Sequence, residues 1–267
     1  MNRRELMRGL VLSVGVTARG KNFLMNGLGF SSATAQPDSK PGQESSPESS
    51  PGSWPGSWPR TVAGVRLVDS EIARTTTALS RAVSPPYLFN HAVRTYLLGS
   101  LVGRALGLKF DEELLYLACI MHDLGLTDRF EGALPFEIQG AEAARRFLEE
   151  HAYGKERIGV VWDGIAMHAS RIGQFKQPEI LLVGEGAGAD VVGPDWSQIK
   201  KVEVEEVLTA FPRLKFKEAF VKTCGDVVTK FPQGASSSFM RDIRERHVPN
   251  FHPRNFCDVI AQAPFPE

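Results

Sequence analysis

The sequence carries no net charge, because 31 lysines and arginines balance 31 aspartates and glutamates. No overall field draws such a chain towards nucleic acid or an anionic membrane surface, and we expect neither as a partner. No segment reaches the roughly 20 apolar residues that a membrane-spanning helix needs. The composition, with 42% hydrophobic and 23% charged residues, is that of an ordinary globular protein.

Cysteine is scarce and strand patterns are nearly absent. Cys119, Cys224 and Cys257 are odd in number and widely separated, which fits neither a disulfide framework nor a zinc-finger spacing.

From residue 61 onward, apolar residues recur at spacings of three and four. The pattern predicts a single all-α domain, a helical bundle, over residues 61–267. The expected helices cover residues 69–82, 89–106, 111–124, 139–151, 155–170, 178–192, 200–210, 215–230 and 236–247. The oligomeric state is left open, with a homo-oligomer among the alternatives.

The N-terminal region differs in composition from the rest. Residues 1–36 resemble a twin-arginine export signal, with Arg3-Arg4 near the start and Ala-Thr-Ala at residues 33–35 as a cleavage site. This predicts a periplasmic protein, and a disordered basic N-terminus on a cytoplasmic protein is the alternative. Residues 37–60 are rich in proline, serine and glycine, which predicts a linker.

The doublet His122-Asp123 lies at the end of a strongly apolar helical run. Asp111 is a good N-cap residue, and the run from 114 to 121 is apolar on nearly all sides, which predicts a buried helix. A carboxylate at the inner end of such a helix is costly unless it is paired or binds a metal. A core histidine beside a turn aspartate is the alternative.

His91 and Asp190 complete a candidate metal site on other helices. A divalent metal prefers imidazole nitrogens and carboxylate oxygens that converge from different elements. His91 lies on an early helix with an apolar face. Asp190 follows a glycine-rich segment, 180–189, whose G-x-G-x-G spacing does not match a dinucleotide loop. With Pro178 at its first position, this segment is instead predicted to be a helix that packs closely on its neighbours.

The order His91, His122-Asp123, Asp190 resembles the HD superfamily of metal-dependent hydrolases. Several segments are similar to its cyanamide hydratase branch: residues 122–127, 129–131, 136–141, 162–168, 188–193, 245–249 and 255–258. The resemblance covers about residues 64–265. It implies an enzyme that activates water to hydrate a small nitrile, converting cyanamide to urea.

The resemblance also implies roles for individual residues. His91, His122, Asp123 and Asp190 are the expected ligands of a divalent transition metal. Zn²⁺ is the expected ion, with Fe²⁺ and Mn²⁺ as alternatives. Catalysis is assigned to Asp123 and to His168, which would polarise or protonate the substrate nitrogen. A further ligand or a hydrogen-bonding role is the alternative for His168.

Two other functions remain open at this point. One is a phosphohydrolase acting on a nucleotide or phosphomonoester, for which Arg94, Arg129 and Arg171 are the candidate phosphate contacts. The other is a non-catalytic, metal-stabilised binding domain. Glu137 either hydrogen-bonds a ligand or stabilises the start of its own helix, and the second role is favoured because glutamate is common in a first turn.

Overall fold

The computed structural model describes residues 58–195, 197–235, 238–253, 257 and 262. The predicted export signal at residues 1–36 lies outside these residues, as does the linker up to residue 57, so both stay predictions. Within the described part of the chain, no helix is long and apolar enough to cross a membrane.

The regular secondary structure of the described residues is almost entirely helical, which confirms the all-α prediction. Their nine α-helices are α1 (Glu71–Val83), α2 (Pro86–Ala105), α3 (Glu112–Met121), α4 (Phe136–Glu150), α5 (Lys155–Met167), α6 (Pro178–Val191), α7 (Lys201–Ala210), α8 (Phe216–Lys230) and α9 (Met240–His247). A two-residue antiparallel hairpin precedes them, with β1 (Thr61–Val62) paired to β2 (Val65–Arg66). Short 3₁₀ helices cover Leu124–Leu126, Arg171–Phe175 and Pro232–Gly234.

Prolines move two helix starts relative to the sequence prediction. Helix α2 begins at Pro86, three residues before the expected start, and α4 begins at Phe136, directly after Pro135. Proline suits the first turn of a helix because its missing N–H has no partner there anyway. The correction to α4 matters, because its first turn packs against the His-Asp doublet.

Helix α3 is buried in the core, and the doublet follows directly after its C-terminal end. Its N-cap Asp111 accepts hydrogen bonds from two first-turn backbone amides, both at 3.0 Å. Every residue from Leu114 to Met121 is buried, so packing holds the helix on all sides. It ends three residues earlier than predicted, which places His122 at the C-cap and Asp123 in the following turn.

Helices α2 and α6 approach each other closely. A Cβ added at Gly186 would lie 2.1 Å from the carbonyl oxygen of Thr95, and one added at Gly99 would lie 2.6 Å from that of Leu182. Any larger residue would force the two backbones apart. The glycine-rich segment is therefore a closely packed helix, as predicted, and it brings Asp190 against α2.

A smaller hydrophobic cluster lies apart from the main core and borders the candidate site. It joins α8 and α9 to the start of α2 and the first turn of α4, and we call it the cover cluster. Its buried members are Leu88, Leu126, Phe136, Phe216, Phe220, Cys224, Val227, Val228, Ala235 and Met240.

Candidate metal centre

Three of the side chains predicted to be ligands meet at one buried point. His91 comes from α2, His122 from the C-cap of α3 and Asp123 from the turn that follows. The Nε2 atoms of His91 and His122 are 3.2 Å apart. Asp123 Oδ2 lies 3.4 Å from the first of these nitrogens and 3.3 Å from the second. These three residues form a group that could hold a metal ion.

Hydrogen bonds on the far side of each ring determine which nitrogen faces this point. His122 Nδ1 lies 2.7 Å from the carbonyl oxygen of Cys119, and a carbonyl only accepts, so Nδ1 carries the proton. His91 Nδ1 likewise donates to Asp190 Oδ2 at 2.7 Å. In the neutral rings, both Nε2 lone pairs then face each other and Asp123 Oδ2, and in that state no described residue donates a hydrogen bond to this buried oxygen. Three buried acceptors this close are unfavourable unless a proton or a metal cation lies among them.

The spacing of these atoms fits a small divalent ion. Nitrogen and oxygen ligands lie about 2.1 Å from Zn²⁺, so two ligands in a tetrahedral site are about 3.4 Å apart. The observed separations of 3.2, 3.4 and 3.3 Å agree with this value. Imidazole and carboxylate also suit Fe²⁺ and Mn²⁺, so the choice of Zn²⁺ stays a prediction.

His168 lies beside this group. It is the C-cap of α5, and its Nδ1 donates to the carbonyl oxygen of Ile165 at 2.7 Å, which turns Nε2 towards the site. That Nε2 atom is 3.8 Å from Asp123 Oδ1, and the ring centroid is 4.8 Å from that of His122. Burial and the charge of His122 lower the pKa of His168 to about 4, so the ring offers a lone pair rather than a proton at neutral pH.

Asp190 takes a different position from the one expected of a ligand. Its carboxylate contacts Nδ1 of His91, on the opposite side of the ring from the Nε2 that faces the metal group. Arg94 donates to both oxygens, Nε to Oδ1 at 2.8 Å and Nη2 to Oδ2 at 2.7 Å. Arg213 Nη1 adds a bond to Oδ1 at 2.8 Å. Asp190 thus orients His91, the usual task of a carboxylate behind a metal-binding histidine.

The electrostatics of the site favour an anionic Asp123. Burial by itself would raise the pKa of Asp123, but His122 and His91 hold it well below its usual range. Burial would lower the pKa of His122, yet the charge of Asp123 and their hydrogen bond raise it above the ordinary value. For His91, burial dominates and lowers the pKa despite its hydrogen bond to Asp190. This is the pattern expected where a carboxylate attracts a cation.

Aromatic rings from the cover cluster line the same region. The ring of Phe216 lies 4.8 Å from that of His91, and Phe220 lies 5.9 Å from it. Phe136 stands edge-on to His168 at 5.5 Å and contacts Phe239 at 5.8 Å. The surroundings of the imidazoles are therefore apolar.

The remaining histidines lie away from the site. His151 is exposed, and its Nδ1 donates to the carbonyl oxygen of Phe147. His247 and His252 are also exposed.

Of the predicted phosphate contacts, the two with described side chains, Arg94 and Arg129, do not converge on the site. Arg94 is fully buried and engaged with Asp190, and Arg129 is exposed with its guanidinium 5.2 Å from the ring of Phe130. The side chain of Arg171 lies outside the described set. Sequence reasoning missed that Arg94 is the partner of Asp190, although a charged residue three positions after His91 on an apolar helix face was a usable signal.

Comparisons with known proteins agree with this geometry. Residues 88–184 match the HD domain family. Two proteins of Saccharomyces cerevisiae, cyanamide hydratases DDI2 and DDI3, are each 25% identical over 188 residues, which is 68% of this chain and 84% of theirs. An uncharacterised protein of Clostridium beijerinckii is 31% identical over 64 residues, 24% of this chain and 41% of its own length.

The family match and the ligand group coincide. His91, His122 and Asp123 all lie within residues 88–184, and Asp190 and helices α8 and α9 follow them. HD domain proteins are mostly metal-dependent hydrolases that bind divalent metals. The structure contains three residues that could hold such an ion. Residues 88–184 of this chain therefore resemble the HD domain family in sequence, and the ligand group lies within them.

Proposed function

We propose that this protein is a metal-dependent hydratase that adds water to a small nitrile, with cyanamide as substrate and urea as product. The observation that carries the metal part is the group of three mutually facing acceptors, His91 Nε2, His122 Nε2 and Asp123 Oδ2. The likeness to the two yeast proteins supports the choice of reaction.

His168 supplies the fourth donor in this proposal, in place of Asp190. Its Nε2 atom faces Asp123 from the end of α5, while the Ile165 carbonyl fixes the proton on Nδ1. The set is then three neutral imidazoles and one carboxylate. Asp190 does not bind the metal in this proposal. It accepts a hydrogen bond from Nδ1 of His91 and so keeps the proton on that nitrogen.

The apolar lining supports a small uncharged substrate rather than a phosphate ester. A phosphate group carries up to two negative charges and requires arginine, lysine or a helix N-terminus to bind it. Arg94 and Arg213 contact the site residues, but both hold Asp190. Phe216 and Phe136 instead present rings beside the imidazoles of His91 and His168.

Hydration of a nitrile needs only water, a polarised nitrile carbon and a group that transfers a proton to the nitrogen. A divalent ion bound here lowers the pKa of water from 15.7 to ~7 and polarises the substrate. The chain keeps the imidazoles correctly oriented through Asp190 and through the carbonyl groups of Cys119 and Ile165. The cover cluster limits the entry of bulk water. No leaving group departs and no organic cofactor takes part.

The first test is metal analysis of the purified protein by mass spectrometry. We expect about one equivalent of a divalent transition metal per chain, lost in Asp123→Ala and retained in the exposed control His151→Ala. A correctly folded wild type that takes up no Zn²⁺, Fe²⁺ or Mn²⁺ contradicts the proposal.

The second test is urea production from cyanamide by the metal-loaded protein. The proposal expects urea from the wild type and none from Asp123→Ala. Phosphate release from nucleotides or phosphomonoesters, with no urea, would establish the phosphohydrolase alternative. Inactivity in both assays with metal bound would favour the non-catalytic binding domain.

We also propose export through the twin-arginine route, which the N-terminal sequence alone supports. A tagged full-length chain should fractionate to the periplasm, and Arg3→Lys/Arg4→Lys should retain it in the cytoplasm. Identical cytoplasmic retention of both would contradict export and favour the cytoplasmic alternative.

A further inference from the structure

Glu137 is a buried carboxyl group without a cationic partner among the described side chains. It is 6% exposed, and its hydrogen bonds are to its own backbone amide and to Ser238. The other two buried carboxylates are compensated, Asp123 by histidines and Asp190 by arginines. A buried, uncompensated carboxyl group is costly, and such groups concentrate at functional sites.

The helix turn that carries Glu137 lies beside the proposed metal centre. The first turn of α4 packs directly on the segment that follows the doublet, since a Cβ added at Gly125 would lie 2.0 Å from the carbonyl oxygen of Phe136. The Phe136 ring, one residue before Glu137, contacts His168 at 5.5 Å. Glu137 also lies within electrostatic range of Asp123.

We propose that Glu137 carries the proton in nitrile hydration, accepting it from the attacking water and returning it to the nitrile nitrogen. The inference rests on the proposed function. The water oxygen forms a bond to the nitrile carbon, one C–N π bond breaks, and its electron pair moves to nitrogen. Nitrogen takes the proton that Glu137 received, and the resulting isourea tautomer becomes urea. All atoms of water are retained, and no oxidant or reductant is needed.

The surroundings of Glu137 make its carboxylate more basic than an ordinary one. Burial raises the pKa of its carboxyl above the ordinary value, and the negative charge of Asp123 raises it further. The other groups that face it are the hydroxyl of Ser238 before α9 and the buried thiol of Cys224 on α8. A more basic carboxylate accepts a proton from water more readily.

The test compares Glu137→Gln and Glu137→Asp with Glu150→Gln, an exposed control at the other end of α4. Urea production from cyanamide is measured as kcat and KM between about pH 5 and 9, with metal content determined for each protein. Glutamine should lower kcat by about 10²–10⁴-fold and abolish the fall in activity at low pH, with KM and metal content little changed. Aspartate should recover part of the rate, and the control should match the wild type.

The outcomes separate this inference from the function on which it rests. Suppose that the wild type is active and that Glu137→Gln has a kcat within about threefold of it, or loses activity at low pH in the same way. Either result overturns the role of Glu137 and leaves the proposed function intact. A rate loss that tracks loss of metal assigns Glu137 to structure and also overturns it. A metal-loaded wild type that makes no urea overturns both proposals.

Discussion

Replacing Asp190 by asparagine should destabilise the protein without removing its metal. The carboxylate accepts hydrogen bonds from Arg94 at 2.8 and 2.7 Å, from Arg213 at 2.8 Å and from His91 at 2.7 Å. Arg94 is fully buried, so the variant leaves its charge unpaired, which costs about 3–5 kcal/mol of unfolding free energy. The asparagine oxygen can still accept from His91. Metal affinity should therefore fall roughly 10–100-fold rather than vanish.

The destabilisation should depend on pH in one direction. Burial alone would raise the pKa of Asp190, but His91 and Arg94 hold it below its ordinary value. A depressed pKa in the folded state stabilises the protein above the unfolded-state pKa, and this contribution is lost as pH falls towards the folded-state value. The difference between wild type and variant should be constant from about pH 5 to 7 and shrink below about pH 4.

Urea unfolding of the metal-chelated proteins, followed by circular dichroism, measures this difference. Asp226→Asn is the matched control, because Asp226 pairs with Lys222 at 2.6 Å on the exposed face of α8 and should contribute only about 0–1 kcal/mol. An Asp190→Asn variant within about 1 kcal/mol of the wild type would refute the reasoning on stability. Complete loss of metal from that variant, with stability unchanged, would make Asp190 a ligand.

Three further predictions concern packing, capping and the ligand set. Gly186→Ala should cost about 1–3 kcal/mol, because its Cβ would lie 2.1 Å from the carbonyl oxygen of Thr95. Gly188→Ala, with no atom within 4 Å, should be neutral or stabilise by up to ~1 kcal/mol; equal melting temperatures for the two variants would contradict this. Asp111→Ala should lower the unfolding free energy by about 1 kcal/mol through loss of the N-cap, and an unchanged thermal midpoint would show that the cap is not needed. His151→Ala should retain full metal content by mass spectrometry, since its ring is exposed, and metal loss would place it in the site.

Local sequence signals predicted the elements that carry the doublet. Asp111 followed by an unbroken apolar run indicated the start and the burial of α3, and both are present. The glycines of residues 180–189 do not have the spacing of a nucleotide-binding loop, and Pro178 precedes them. Together these features indicated a helix, and the segment forms α6. These features depend on neighbours in the chain, so the sequence alone contains them. The convergence of His91 with His122 and Asp123 was predicted as well, with help from the family resemblance.

The assignment of the remaining ligands depends on packing that no local pattern contains. Asp190 contacts Nδ1 of His91 because α2 and α6 approach closely and because Arg94 binds the carboxylate on the side away from the metal group. The direction of His168 is set by a hydrogen bond to Ile165 at the end of α5, a detail of helix termination. The sequence favours a role for Glu137 at the start of its own helix, and its hydrogen bond to its own backbone amide agrees with that role. The sequence does not show that this helix start packs on the segment after the doublet.

Close contact between helix backbones fixes the ligand positions more firmly than any single hydrogen bond. A Cβ added at Gly140 of α4 would lie 3.1 Å from the carbonyl oxygen of His122, and one added at Gly184 of α6 would lie 3.1 Å from that of His168. His122 and the proposed ligand His168 therefore each have a neighbouring helix packed against their own backbone. Metal sites need donors held within about 0.5 Å of their working positions, which packed helices achieve better than loops. Alanine at either glycine should consequently weaken metal binding, because the shift it forces acts directly on a ligand backbone.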